Sequence, residues 1–519
     1  MREATHTQAE PTPTPEHLAA ENAALREQVA VLTRQLDWFK RQVFGPTSER
    51  RPADAATVDL FAAEQASATP PPATEEVTYQ RRKPGTKDRG DAVTGEGLRF
   101  DANVPVETIE VDAPELHGSE AGRWEVIDHT TTYRLAQRPG SYVVLAYRRP
   151  VLRERAAATV VTPPAPPNVL EGSLADVSVL AGVVVDKFCY HLPLYRQHQR
   201  LADAGIRVAR ATLTQFTART AELLEPIARA QHAHILESQV VAMDETPIKA
   251  GRDKAKGRMA QGWYWPLYGE ADEISFTYAP HRGARHVFEQ LQGFTGTLLS
   301  DGYSAYARVS KATEGLTHAQ CWAHTRRKFL AAEAAEPEAA ATALEHIRGL
   351  YRIEAAIRDR ELEPDKALAY RAEHARPLVD AFFAWVWEQR QRTELLPSNP
   401  LAKALAYAHE REGALRVFLS DPAVPIDTNH LERALRVIPM GRKNWQFCWT
   451  EVGARHVGTL QSLLTTCRLQ GINPYVYLVD VLQRISQHPA GDVIALTPRV
   501  WKERFAHDPL TSDVERHAG

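Results

Sequence analysis

Val240-Val241-Ala242-Met243-Asp244-Glu245-Thr246 is a short apolar run of strand character that ends on carboxylates. Leu298-Leu299-Ser300-Asp301-Gly302-Tyr303 repeats the arrangement, an apolar run followed by an aspartate. A third acidic phrase, Asn429-His430-Leu431-Glu432-Arg433, lies on a basic segment with helical spacing. Carboxylates drawn from two strand ends and a helix are how a chain assembles an oxygen cage for divalent cations beside a phosphodiester.

Working outward from these phrases, residues 239–243, 262–268, 274–278 and 296–300 read as four strands, with a helix at 284–292 before the fourth and a fifth strand at 317–321. Three consecutive strands, a helix and another strand match the first half of a ribonuclease-H-like α/β fold. In that architecture the ends of the first and fourth strands lie side by side, and Asp244 and Asp301 occupy those ends. Residues 237–330 therefore read as the first part of a catalytic core. Residues 331–420 are rich in Ala and Glu with helical periodicity at 339–356 and 377–390, and read as an inserted all-helical subdomain. The core resumes at 421–485, and 486–519 form a C-terminal tail.

Upstream, Leu18, Leu25, Leu32 and Phe39 fall seven apart, with Asn22, Val29, Leu36 and Val43 in the other seam position. Residues 16–45 read as a coiled-coil dimerisation helix, with the polar Asn22 fixing register; the alternative is an amphipathic helix packed on its own domain. Gly45 and Pro46 end it, and the Pro- and Ala-rich stretch 46–96 reads as a flexible linker. Its Arg81-Arg82-Lys83 is either a phosphate contact or a solvated basic patch. Residues 97–168 alternate apolar and polar side chains, as in Ser141-Tyr142-Val143-Val144-Leu145-Ala146-Tyr147, and suggest a small β-rich module. In 169–236 two short helices, an Ala204-Gly205-Ile206 break and a third helix from Ala211 make a helix-turn-helix candidate for DNA binding; many helical hairpins bind nothing.

The chain has 519 residues, enough for about three domains, and 44% hydrophobic residues, enough for a large core. No apolar run approaches the roughly 20 residues that span a bilayer, and the N-terminus is polar, so the expected address is the cytoplasm and not a membrane. Cys189, Cys321, Cys448 and Cys467 show no paired spacing and read as reduced thiols; Cys321 and His324 have C-x-x-H spacing but lack a second pair, so no zinc is expected. The formal charge of −3 hides local changes of sign: residues 187–219 carry six Lys or Arg against one acid, and 432–456 carry five against two. Such stretches hold a polyanion or form ordinary solvated helix faces.

Phosphoryl transfer must stabilise attacking, leaving and non-bridging oxygens together, which two Mg²⁺ ions about 3.5–4 Å apart do well. Asp244 is the candidate ligand bridging both ions, with Asp301 and Glu432 each completing one site and Mn²⁺ able to substitute. Crowding three carboxylates raises their pKa values until metal binds. Singly, Asp244 could instead cap a turn and Asp301-Gly302 is an ordinary turn dipeptide. Asp427 and Glu451 compete for the third role, but Asp427 reads as the N-cap of the helix bearing Glu432, on whose face Asn429 and Arg436 also fall. The candidate DNA-binding residues are Arg196, Arg200, Arg210, Arg326, Arg327, Lys328, Arg436, Arg442 and Lys443. Trp322, Phe329 and Trp445, in the stretches 318–329 and 441–445 that carry several of these bases, offer stacking on an unpaired base.

Met243-Asp244-Glu245-Thr246-Pro247, Ser300-Asp301-Gly302-Tyr303-Ser304-Ala305-Tyr306, Cys321-Trp322-Ala323-His324-Thr325-Arg326-Arg327-Lys328-Phe329, Asn429-His430-Leu431-Glu432-Arg433-Ala434-Leu435-Arg436 and Gly441-Arg442-Lys443-Asn444-Trp445 together resemble the motif series of the insertion-sequence-66 family of DDE transposases. Phe44-Gly45-Pro46-Thr47-Ser48-Glu49, Pro193-Leu194-Tyr195-Arg196 and Gly471-Ile472-Asn473-Pro474-Tyr475-Val476-Tyr477-Leu478 extend the resemblance over about residues 18–485. It implies a Mg²⁺-dependent recombinase that nicks transposon ends with water and joins the freed 3′ hydroxyl to target DNA. The family's two aspartates and glutamate fall on Asp244, Asp301 and Glu432. Its partners would be the terminal inverted repeats, target DNA, further copies of itself and accessory proteins of the same element. One departure is that the family's cysteine-rich zinc module falls on roughly 110–160, which has no cysteine. A nuclease on the same fold, or a catalytically silent DNA-binding or assembly protein, are the alternative readings.

Overall fold

The computed structural model describes residues 98–516 except 103, 118–120, 139, 156–158, 254–256, 443–447 and 449, together with 92–93 and Arg26. The expected coiled coil at 16–45 and linker at 46–96, apart from Arg26 and 92–93, lie outside the described residues, as does Lys443.

The first described elements are β1 (Ala92–Val93), β2 (Arg99–Phe100), β3 (Val106–Glu110), β4 (Trp124–Arg138), β5 (Ser141–Glu154) and β6 (Val160–Val161). β4 and β5 form a long antiparallel hairpin, with β3 parallel to β5 and β6 antiparallel to it. Gly140, at φ +85°, makes the tight turn that joins Arg138 to Ser141, a conformation other L-residues rarely adopt.

The helical module begins with α1 (Val177–Phe188), started by Asp176, whose carboxylate accepts the Ser178 N–H at 2.9 Å. α2 (Leu194–Asp203), the two-residue strand β7 (Ile206–Arg207) and α3 (Arg210–Ile235) follow. Where the sequence suggests only a Gly turn, the chain pairs β7 with β2, Ile206 opposite Phe100. The third helix is also longer than a recognition helix needs, at 26 residues. Its far end serves the core, since Gln231 Nε2 donates to Ile274 O at 2.7 Å and Thr466 Oγ1 at 3.0 Å. Exposed side chains run along its length, from Arg210, Thr214 and Gln215 in the first turns to Glu222, Glu225 and Arg229 further on, opposite those buried at Leu213, Phe216 and Leu224.

The central sheet comprises β8 (Val240–Met243), β9 (Thr246–Asp253), β10 (Arg258–Tyr268), β11 (Ile274–Ala279), β12 (Thr297–Ser300) and β13 (Thr317–Gln320), in the order β11-β10-β8-β12-β13 with β9 also paired to β10. β8, β12 and β13 run parallel, and the others are antiparallel to their neighbours. Runs such as Val240–Met243 and Thr297–Ser300 are buried on both faces, which is why they read as unbroken apolar segments. β9 escaped the sequence reading because Pro247, Lys249, Arg252 and Asp253 mask a strand whose alternate residues are buried. α4 (Ala284–Gln290) and α5 (Ser304–Ala312) flank β12.

Helices then dominate: α6 (Trp322–Ala332), α7 (Pro337–Asp359), α8 (Pro364–Tyr370), α9 (Arg376–Arg390), α10 (Pro400–His409) and α11 (Glu412–Arg416). Trp322 anchors them, its ring centroid 5.3 Å from Phe382, 6.1 Å from Phe383 and 6.4 Å from Phe418. After them come α12 (Asn429–Leu435), α13 (Val437–Gly441), α14 (Glu451–Leu469) and α15 (Pro474–Arg484). α14 closes the sheet edge: Ser462 Oγ accepts from Phe276 N at 2.8 Å and Thr466 Oγ1 from Ile274 N at 3.1 Å. The unpaired N–H groups that make an edge strand prone to association are thereby satisfied. The stretch named a tail from sequence is folded, with α16 (Pro498–Arg504) and α17 (Asp513–Arg516). Buried Trp501 donates to Asp480 Oδ1 at 2.8 Å, and Asp513 accepts from Tyr147 of β5 at 2.5 Å.

Candidate active site

Because Ala242 pairs with Leu299 in the parallel β8–β12 ladder, Asp244 and Asp301, each two residues further on, leave the sheet side by side. The third carboxylate is supplied by α12, whose entry is pinned to the end of β13. Thr428 donates its N–H and hydroxyl to the Cys321 sulfur, both at 3.3 Å, and Ile426 O accepts from Trp322 N at 3.0 Å. Cys321 is thus a buried hydrogen-bond acceptor. Asp427, expected as the N-cap, lies one residue before the cap position Thr428, yet its carboxylate still accepts from Asn429 N at 2.9 Å. α12 stops at Leu435, and Arg436 is the hinge into α13.

The three carboxylates line one cavity of about 370 Å³ together with Glu245, Arg282, His324, Arg327 and Arg436. Asp244 accepts from Glu245 N at 2.7 Å, and Asp301 from Tyr303 N at 2.8 Å. Glu432 is held by Arg327 Nη2 at 3.2 and 3.3 Å, with His324 Nε2 at 3.6 Å. Burial, and then the neighbouring charges of Glu245 and Asp301, push the Asp244 carboxyl up to about 8. Glu245 is also raised, first by burial, although Tyr306 and Arg282 both donate to it.

The loop after β12 is clamped by the helical segment about a hundred residues further along the chain. Arg411 Nη2 donates to Gly302 O at 3.1 Å, and the Tyr407 ring lies where a Gly302 Cβ would stand, 2.4 Å from that position. Tyr407 is itself flanked by Arg411 at 4.1 Å and Lys328 at 5.2 Å from its ring centroid.

Behind the loop, Ser300 Oγ meets His318 Nε2 at 2.9 Å, and burial lowers the His318 pKa to about 4. Its unfolded value is near 6.5, so the unfolded chain takes up this proton first. The contribution of neutral His318 is complete above about pH 6.5 and is lost towards pH 4, to a total of about 3 kcal/mol. Replacing His318 with Gln is expected to flatten the wild-type loss of urea stability across that window; parallel acid limbs for the two proteins would refute it.

Of the nine candidate DNA-binding residues, Arg327 and Arg436 reach this cavity. Arg326 is exposed on α6. Arg442 serves the fold, donating from Nη1 to Pro247 O at 2.9 Å. Arg196, Arg200 and Arg210 belong to the α2–α3 module: Arg196 is exposed, Arg200 pairs with Asp186 and bonds Tyr142 at 2.9 Å, and Arg210 lies 5.7 Å from the Tyr195 ring. The sequence reading missed Glu245, although it stands beside Asp244 in the opening phrase. It gave no role to Tyr306, although that residue ends the quoted Asp301 motif, and it missed Arg282, Tyr407 and Arg411, which carry no local signal.

Among the described residues no group of three or more His, Cys, Asp or Glu side chains is placed to hold a metal ion as it stands. The donor set nonetheless suits a hard cation: all three ligands would be carboxylate oxygens, and Asp244 is crowded by negative charge that a cation would relieve. Glu432 lines the same cavity, with its carboxylate shared with Arg327 and close to His324.

Residues 172–456 match the family described as Transposase IS66 family, 462–499 match the IS66 C-terminal element, and 31–109 match the family described as Transposase C of IS166 homeodomain. Uncharacterized protein y4qI of Sinorhizobium fredii is 31% identical over 93% of this chain and 90% of its own length. Two further proteins of that organism, y4hP and y4jD, are 28% and 31% identical over 92% and 74% of this chain and 90% and 77% of theirs. Among the described residues no helix is long and apolar enough to cross a membrane. With its central segment and C-terminal element both matched, the chain belongs to the IS66 family of transposases.

Proposed function

We propose that the protein cleaves the ends of its own insertion sequence and joins the 3′ hydroxyl to target DNA, using Asp244, Asp301 and Glu432 on a ribonuclease-H-like core. The parallel register that sets Asp244 beside Asp301, with Glu432 facing them across one cavity, carries this reading. The strand order, with β8 between β10 and β12, the strands read from sequence as first, second and fourth, supports the fold assignment.

In this reading the three carboxylates would hold two Mg²⁺ ions, and the metal would supply charge stabilisation on the attacking and leaving oxygens. Asp244 and Asp301 present oxygens from a rigid sheet, so their spacing is fixed by backbone hydrogen bonds. Glu432 comes from a helix and is shared with Arg327, which keeps it near the cavity before DNA arrives. Arg327 then becomes available to phosphate. The α2–α3 module, with Arg196, Arg200 and Arg210, would grip the terminal repeats, and residues 16–45 would pair two copies.

The test is incubation of the full chain with Mg²⁺ or Mn²⁺ and DNA carrying the terminal repeats that flank its gene. Nicks at the repeat ends followed by joined products are expected. Nicking without joining would favour a nuclease, and no cleavage at the ends would sink the catalytic assignment.

A further inference from the structure

A second fixed cation faces the three carboxylates from the strand side. Arg282, on the loop after β11, donates from Nε to Glu245 Oε1 at 2.9 Å, and its Nη2 bonds the same oxygen. Its guanidinium carbon lies 3.9 Å from the Tyr303 ring centroid and 5.0 Å from that of Trp263. Glu245 is in turn fixed by the Tyr306 hydroxyl and is only 3% exposed. Its anchor is therefore rigid. Arg282 is itself 39% exposed and lines the cavity, and its Nη1 makes no hydrogen bond among the described residues.

A guanidinium spends side-chain entropy when it grips an anion, but here one edge and the faces are already committed. What remains is the edge carrying Nη1, whose N–H donors are preoriented in the cavity that Asp244 and Asp301 line. Were neutralising Glu245 its only task, Arg282 would have no need of an open edge in the same cavity. We infer that Arg282 binds a non-bridging oxygen of the cleaved strand, at or next to the scissile phosphate, and so sets that strand's position over the carboxylates. Arg327 and Arg436 reach the DNA from the α12 side, and the backbone is held from both. The inference rests on the strand-transfer reading of the site.

The test uses the full chain, Ca²⁺ in place of Mg²⁺, and duplexes carrying the terminal repeat in which single phosphates around the cleavage point are replaced by neutral methylphosphonates. For wild type, one position is expected to lose about tenfold in affinity. Arg282→Gln is expected to bind unmodified DNA correspondingly less tightly and to lose nothing further at that position, while both proteins lose equally elsewhere. If Arg282→Gln does not fold, Arg282→Lys keeps the charge and is expected to show a shallower loss there. A profile identical to wild type for the folded variant would overturn the inference while the proposed function stands. Failure of wild type to bind the repeat ends with Ca²⁺, or to cleave them with Mg²⁺, would overturn both.

Discussion

Asp244→Asn is expected to abolish end cleavage and joining, with a loss of at least about a thousandfold, while the protein stays folded. Asn keeps the shape of the side chain but removes the negative charge with which it would hold a divalent cation. It also removes a carboxylate that burial and its acidic neighbours destabilise, so the melting temperature without metal should not fall. Cleavage of end-labelled repeat DNA and a thermal melt decide the matter together. Activity within tenfold of wild type would remove Asp244 from the centre of the reaction, and a lost activity with a collapsed melt would say nothing for catalysis.

Gly302→Ala is expected to cut cleavage by about a hundredfold, because displacing a catalytic group by about 1 Å has costs of that order. The added Cβ would stand 2.4 to 2.7 Å from atoms of the Tyr407 ring, and that ring has little freedom between Arg411 and Lys328. The loop bearing Asp301 must therefore move instead. Removing the obstacle tests the cause: Gly302→Ala combined with Tyr407→Ala should recover part of the activity lost by Gly302→Ala alone. If the double variant is no better than the sum of the two single losses, the clamp between the helical segment and the loop after β12 is not what positions Asp301.

The strands bearing Asp244 and Asp301 were legible because a strand buried on both faces is an apolar run, and the aspartates mark where it leaves the core. Glu432 was legible from helical spacing. β9 was not, since its exposed face carries the charges that break such a run. The helix-turn-helix reading recovered three helices but not β7, whose partner β2 lies over a hundred residues earlier. Arg282 and Arg411 left no trace in local pattern, being 37 and 109 residues from the groups they hold.

The sequence by itself determined which carboxylates end the strands and in what order they come, because hydrophobic periodicity is a property of near neighbours along the chain. Tertiary structure alone decided which cations face them, that Arg442 braces β9 instead of facing solvent, and that Tyr407 presses on Gly302. An ion pair or a desolvated carboxylate depends on atoms within a few ångströms in space, and only the packed fold brings those together.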